Sequence, residues 1–326
     1  MLIPIPMRIL ALILLPVLMV TACDDPTVDQ WMNPDRTFAK LPQPEVPTVN
    51  QSLEKSATAA LDAGDVTRAS QFYRQLLDSD KASPADKARY RIALADAERR
   101  RGGYGAAIKL FDEALKEDPN NIDAMEGKGL ALMAQGKSAE SGRVLATVLE
   151  KDKERWRTLN ALGILFVTKN MTPEAMEYFT AALKASPDNA AVLNNVGLTR
   201  AIERNYPRAV EALQQASKMS QNDARRRQVD LNLALVYGIS GDMESAKAVA
   251  ERYLEGAALD NNLGLYAHLA KNDELAKTYL NMALTRSPTY YERAWQNLDA
   301  VTSQANPDTK ANQPMPSATP PAGRLE

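Results

Sequence analysis

The strongest constraint on this chain is an internal period. Pro119 and Pro187 stand 68 positions apart, which is two periods of 34. With both set at position 32, units beginning at Ala88, Ile122, Trp156 and Ala190 follow one another without a gap. A period of this length marks a supersecondary unit too small to bury its own apolar face, so neighbouring units must stack to share a core. The unit from Trp156 carries Leu159, Leu162, Gly163, Phe166, Ala175, Phe179, Ala182 and Pro187. Small residues at Gly163 and Ala175 let two helices approach, large ones fill the space beside them, and the proline stops the second helix. The unit from Ala88 repeats this with Leu94, Ala95, Gly102, Tyr104, Ala107, Phe111, Ala114 and Pro119. The unit from Ile122 keeps Gly129, Gly136 and Leu145 but has Ser141 where alanine stands elsewhere. The unit from Ala190 keeps Gly197, Tyr206, Ala209 and Ala216, and reads as one residue short between Arg204 and Tyr206.

In period and in residue types this pattern resembles the tetratricopeptide repeat (TPR). The resemblance implies an all-α fold: an α-solenoid of about seven TPR helix hairpins with a C-terminal capping helix. Gly64, Ala69 and Tyr73 place a first hairpin near residues 50–83. Leu233, Ala234, Tyr237, Gly241 and Ala246 mark a sixth, and Leu263, Gly264, Ala276, Ala283 and Pro288 a seventh. Tyr290 to Val301, with Ala294, Trp295, Leu298 and Val301 on one side, reads as the cap that a stack of repeats requires. The solenoid is thus expected over residues 50–304.

The first 22 residues read differently. Arg8 is the only charge before Cys23, and it precedes an apolar run from Ile9 to Val20. That run is too short for a helix to cross a bilayer about 30 Å thick. Its length and basic flank fit the apolar core of a signal peptide. Val20-Thr21-Ala22-Cys23 resembles the lipobox of bacterial lipoproteins, which implies cleavage between Ala22 and Cys23 and acylation of Cys23. Asp24 stands where some such proteins carry an inner-membrane retention signal. A start at Met7 would give the same leader. Residues 23–49, with Pro26, Pro34, Pro42, Pro44 and Pro47, read as an extended tether, within which Trp31 and Phe38 are the unusual residues. Residues 305–326, with five further prolines, read as a disordered tail.

Composition removes several function classes. Lys plus Arg (39) nearly balances Asp plus Glu (41), for a net charge of −2, so no face is basic enough to bind nucleic acid. One cysteine excludes an internal disulfide, and one histidine, His268, leaves no ordinary zinc ligand set. Gly102-Gly103-Tyr104-Gly105 falls in a turn between repeat helices with no strand before it, so a phosphate cradle is not expected. No serine or cysteine has a histidine to activate it. The carboxylates read as scattered over solvent faces. The expectation is a protein that binds protein partners, uses no cofactor and catalyses no reaction.

Stacked TPR hairpins place their first helices on one wall, with positions 2, 5, 9, 12 and 13 towards a groove. The unit from Ala88 offers Arg89, Asp96, Arg99 and Arg100 there, a charged end. Leu130, Met133, Ile164, Val167, Leu198, Ala201, Ile202, Leu231 and Leu235 follow in the next units, with Asn160 and Asn194 among them. Such a surface suits an amphipathic helix or an apolar segment. It also suits packing on neighbouring repeats or filling by the Pro-rich tether.

The run Ala224 to Asp242, which includes Arg225-Arg226-Arg227-Gln228 and Leu231-Asn232-Leu233-Ala234-Leu235, resembles a stretch of the TadD family of TPR lipoproteins of tight-adherence (Flp) pilus assembly. Asn261-Asn262-Leu263 resembles that family's late Asn-rich segment, while Val229-Asp230 is an insertion relative to it. This resemblance implies a pilotin-like role at the outer membrane, in which the chain faces the periplasm and engages a secretin or another pilus component. Asp24 keeps the inner membrane open. The alternative is a periplasmic TPR scaffold for peptidoglycan or outer-membrane protein assembly.

Overall fold

The computed structural model describes residues 48–287 and 292–305. The chain divides into two units after Thr48, and the second, from Val49, holds every described helix. The expected signal peptide, Ala22, Cys23, Asp24, the tether with Trp31 and Phe38, Pro288 and the tail lie outside the described residues.

Fourteen of the helices form seven consecutive hairpins: α1 (Val49–Asp62) with α2 (Val66–Leu77), α3 (Pro84–Arg100) with α4 (Tyr104–Glu117), α5 (Ile122–Ala134) with α6 (Ser138–Lys151), α7 (Trp156–Thr168) with α8 (Thr172–Ala185), α9 (Ala190–Ile202) with α10 (Tyr206–Met219), α11 (Asp223–Ile239) with α12 (Met243–Ala250), and α13 (Gly256–Leu269) with α14 (Asp273–Arg286). A fifteenth, α15 (Glu292–Ala305), packs on α13 and α14 and buries Ala294 and Val301. This is the all-α stack of hairpins, with its closing helix, that the period predicts.

The turn inside each hairpin is the same device seven times. Gly64, Gly102, Gly136, Asn170, Arg204, Gly241 and Lys271 all take positive φ. One residue later the N–H donates back to the carbonyl five residues upstream, as in Gly103 to Glu98 (2.8 Å), Met171 to Phe166 (3.0 Å) and Asn272 to Ala267 (2.9 Å). That bond closes the first helix on its orphan carbonyl, and the left-handed residue turns the chain into the second helix. Arg204 occupies this place one full period after Asn170. The unit from Ala190 is therefore in register, and the one-residue shortening expected there does not exist. A left-handed conformation made with arginine in place of glycine hides the turn from a reading that looks for glycine. Side-chain caps start many helices: Asp65, Ser83, Asn121, Asn189, Asn222, Asp242 and Asn272 each accept from an amide in the first turn.

Packing follows the pairing of small and large residues. A Cβ added at Gly163 would lie 2.5 Å from the ring of Phe179, which is fully buried with Leu159, Ala175, Ala182 and Val192. Ser141 is buried, and its hydroxyl donates to the Gly129 carbonyl at 2.8 Å, which accounts for serine where alanine is usual. The inserted Val229 and Asp230 both point inward, at 2% and 3% exposure, and are absorbed by the long helix α11.

Several tyrosines are buried by this stacking. Burial pushes the Tyr266 phenol up to about 12 and raises Tyr73, while the hydrogen bond to Asp230 raises Tyr253. A phenol whose folded pKa lies above its unfolded value near 10 stabilises the fold fully below pH ~10 and loses that contribution as pH climbs through the folded value. Thermal melts are accordingly expected to show stability falling between about pH 10 and 12, by on the order of 2–3 kcal/mol from Tyr266. Tyr266→Phe should flatten that slope; an identical alkaline profile in the variant would assign the loss to other groups.

Candidate functional site: the wall of first helices

The first helices from α3 through α13, with α15 after them, touch one another in succession, and no two second helices share a comparable contact among the described residues. The first helices therefore form one continuous wall. Every apolar residue expected to face it is at least partly exposed except Ala201, at 8%. Their surroundings differ. Leu130 and Met133 pack against the cluster of Leu145, Ala161, Leu162 and Leu165, Ile164 and Val167 against that of Phe179, and Leu235 against that of Leu263. These five side chains serve the contacts between hairpins. Leu198 and Leu231 are half-buried and belong to none of the core clusters, and Ile202 is 54% exposed. Leu269, 50% exposed, stands five residues after Gly264 as Ile202 stands five after Gly197, and both glycines abut the matching leucine of the next helix. The open apolar stretch thus lies on α9, α11 and α13. With Pro288 set at position 32, Leu269 takes position 13, the place of Ile202, so extending the numbering to the seventh unit would have found it.

The amides form a ladder. Asn195 Nδ2 donates to Asn160 Oδ1 at 2.9 Å, Asn194 Nδ2 to Asn195 Oδ1 at 3.4 Å, and Asn232 Nδ2 to Asn194 Oδ1 at 2.8 Å. A separate rung joins Asn297 on α15 to Asn261 on α13 at 2.9 Å. Asn160 and Asn194 therefore hold successive first helices in register, and the rung between α11 and α13 is missing because Leu231 occupies the matching place on α11. Among the described residues Asn160 Nδ2 and Asn232 Oδ1 are left without a protein partner. Sequence reasoning found Asn160 and Asn194; their partners on the next first helix, Asn195 and Asn232, stand 35 and 38 residues further on.

The charged end of the wall is internally neutralised. Arg89 pairs with Glu54 (2.5 Å) and Asp86 (3.1 Å), and Asp96 accepts from Arg99 (2.5 Å) and Arg100 (2.7 Å). Although burial pushes the Asp96 carboxyl up, the two guanidiniums outweigh it and hold the group below its ordinary range. Four carboxylates also correct the expectation that acidic residues stay on solvent faces. Glu98, Glu126, Asp230 and Asp260 are 0–6% exposed. Glu98 bridges Arg74 (2.6 Å) and Arg101 (2.5 Å), and Glu126 accepts from the Thr158 hydroxyl at 2.7 Å. Asp230 accepts from Tyr253 at 2.6 Å, and Asp260 Oδ2 lies 3.0 Å from Arg286 as an ion pair without hydrogen-bond geometry. Glu98, Glu126 and Asp260 tie one helix to another and Asp230 ties α11 to the turn after α12, so burial here reflects pairing. The single histidine sits at the last hairpin turn, with Nδ1 2.7 Å from Asp273 Oδ1. Among the described residues no three His, Cys, Asp or Glu side chains converge to hold a metal, and no helix is long and apolar enough to cross a membrane.

Two tetratricopeptide repeat models match the sequence, over residues 55–122 and 98–162. The chain carries tetratricopeptide repeats. Solved structures with the same fold include a tetratricopeptide repeat protein from Parabacteroides merdae, 18% identical, with 78% of this chain and 98% of that one covered at TM-score 0.53. The Cut9–Hcn1 hetero-tetramer of APC/C aligns at 15% identity and TM-score 0.55, over 78% of this chain and 49% of that one. Pseudomonas aeruginosa pilF aligns at 19% identity and TM-score 0.48, over 62% of this chain and 89% of that one. At these identities the first two likenesses are of architecture alone. The TPR wall is chemically a binding surface: apolar side chains offer burial, and the ladder's free N–H and C=O can meet a backbone. TPR domains bind protein partners, and this one presents a scaffold for doing so.

Proposed function

We propose that this TPR protein is a lipid-anchored adaptor that holds an apolar or amphipathic segment of a partner during assembly of an envelope machine, with pilotin-like help to a Flp/Tad pilus secretin as the specific task. The observation that carries the adaptor reading is the open apolar stretch of Leu198, Ile202, Leu231 and Leu269 beside the amide ladder. The anchor rests on Val20-Thr21-Ala22-Cys23, and the choice of pilus machinery rests on the resemblance of residues 224–242 and 261–263 to the TadD family. One acyl chain holds a protein only marginally, whereas two or three make attachment stable. Cys23→Ser is therefore expected to move the chain from the membrane pellet to the soluble fraction, or to leave an uncleaved precursor; mature, acylated protein in the variant would remove the anchor from the proposal. Which membrane holds it is read from density-gradient fractions of the same cells, where outer-membrane fractions fit the secretin task and inner-membrane fractions fit retention by Asp24.

The partner is tested by capture from a detergent extract of the envelope with identification by mass spectrometry. A secretin or another pilus component bound through the apolar stretch supports the assignment. Peptidoglycan or outer-membrane assembly proteins in its place would replace the pilus task with that of a general periplasmic scaffold.

A further inference from the structure

The wall of first helices is one face of the molecule; a second feature lies on the other, between second helices. Three successive repeats leave a crevice there, each bounded by its own second helix and the next hairpin. The one bounded by α6, α7 and α8 has a volume of about 780 Å³, against about 550 Å³ for the equivalent crevice along α4 and about 490 Å³ for that along α8. The reason is visible in the repeat. At position 21 of successive units stand Ile108, Gly142 and Met176, and at position 25 Asp112, Ala146 and Thr180. Only the middle unit leaves both places nearly empty.

Gly142 is not there for packing. A Cβ on it would meet only Leu165 Cδ1, at 3.9 Å, an ordinary contact, whereas one on Gly129 of the preceding helix would lie 2.5 Å from Leu145. Glycine is among the poorest helix formers, so its presence inside α6 works against the helix while doing nothing for the core. What it does is keep the crevice open. The floor is Leu162, Leu165 and Phe166, with the Phe166 ring stacked on Tyr178 at 5.2 Å and 22°.

The rim is cationic. Arg143, Lys153 and Lys169 border the opening, opposed by the single carboxylate of Glu150. Among the described residues none of these three cations lies within ion-pair distance of a carboxylate, and Lys169 rests 5.9 Å over the Phe166 ring. In the neighbouring crevice along α4, by contrast, the lining Lys128 is already paired with Asp112 at 2.6 Å.

We infer that this crevice is a second docking site, independent of the groove, for an acidic partner segment that inserts one bulky apolar side chain over Leu165 and Phe166 while its carboxylates meet Arg143, Lys153 and Lys169. Burial of the apolar side chain supplies most of the affinity; the exposed charges set orientation and preference.

The test is calorimetric titration of the purified chain with a short synthetic peptide carrying one tryptophan flanked by glutamates, and with its counterpart bearing lysines in their place. The acidic peptide should bind, the basic one should bind several-fold more weakly, and the difference should shrink as salt is raised past a Debye length of ~8 Å. Gly142→Met, which installs the residue of the next repeat, should weaken binding at least about tenfold through steric filling. Its melting temperature should stay level or rise, because methionine is the better helix former. Gly142→Ala, adding a single methyl, should fold at least as well and weaken binding less. Leu198→Asp, on the other wall, should leave it unchanged. Equal binding by Gly142→Met, or equal binding of the acidic and basic peptides, would overturn the proposal. So would a concentration-dependent dimer of the chain alone that Gly142→Met dissolves, since the occupant would then be a second copy.

Discussion

Phe179→Ala is expected to destabilise the solenoid by about 3–5 kcal/mol, the usual cost of emptying a fully enclosed aromatic site. The ring is 0% exposed, lies over Gly163, and is enclosed by Leu159, Ala175, Ala182 and Val192. It sits in the fourth of seven hairpins, formed by α7 and α8. In a stack stabilised by nearest-neighbour contacts, weakening the middle hairpin uncouples the two halves. Chemical denaturation followed by circular dichroism should therefore show a lower midpoint and a broader transition. A loss below about 1 kcal/mol, as for an ordinary surface substitution, would show that the ring is not the keystone of that hairpin.

The second large effect is on binding. Changing Leu198 and Leu231 together to Asp places two carboxylates on the open part of the apolar wall. An apolar partner segment would have to desolvate both, so capture of the partner is expected to fall by at least about a hundredfold, the scale of losing a pair of central contacts. Melting should change little, because neither leucine belongs to a core cluster and both already meet solvent. The same substitution at Leu130 or Ile164 is a poorer probe: both pack against buried clusters, and a charge there would damage the fold along with the surface. If the double variant retains the partner at full strength while remaining folded, the contact lies on another face, and the crevice opened by Gly142 becomes the first place to look.

The architecture was legible because a repeat states its packing many times over. Gly163 with Phe179, Gly197 with Leu213 and Gly264 with Leu280 are one small-to-large contact written three times, and the spacing of Pro119 and Pro187 sets the phase. Where the residue type at a repeat position varied, reading failed or stopped short. Arg204 makes a left-handed turn that glycine makes elsewhere, so its unit was misread as shortened. Leu269 was within reach, since Gly264, Ala276, Ala283 and Pro288 number its unit and put it at the position of Ile202. The wall itself could be drawn from positions 5, 9 and 12, but those positions do not say which side chains remain open. Leu130 and Leu198 occupy the same position in their repeats, and the first packs onto the next hairpin while the second does not.

The sequence by itself determined the hairpin, its period, the order of the helices and the face each helix buries, because those follow from contacts between residues at a constant short spacing. The tertiary structure alone decided how much of the wall stays free, which asparagines pair into rungs, why Glu98, Glu126, Asp230 and Asp260 can be buried, and that Gly142 widens a crevice where Ile108 and Met176 narrow theirs. Each of these depends on how one hairpin rests on the next. The distance and rotation between stacked units come from the fit of many side chains at once, and periodicity along the chain carries no measure of that fit.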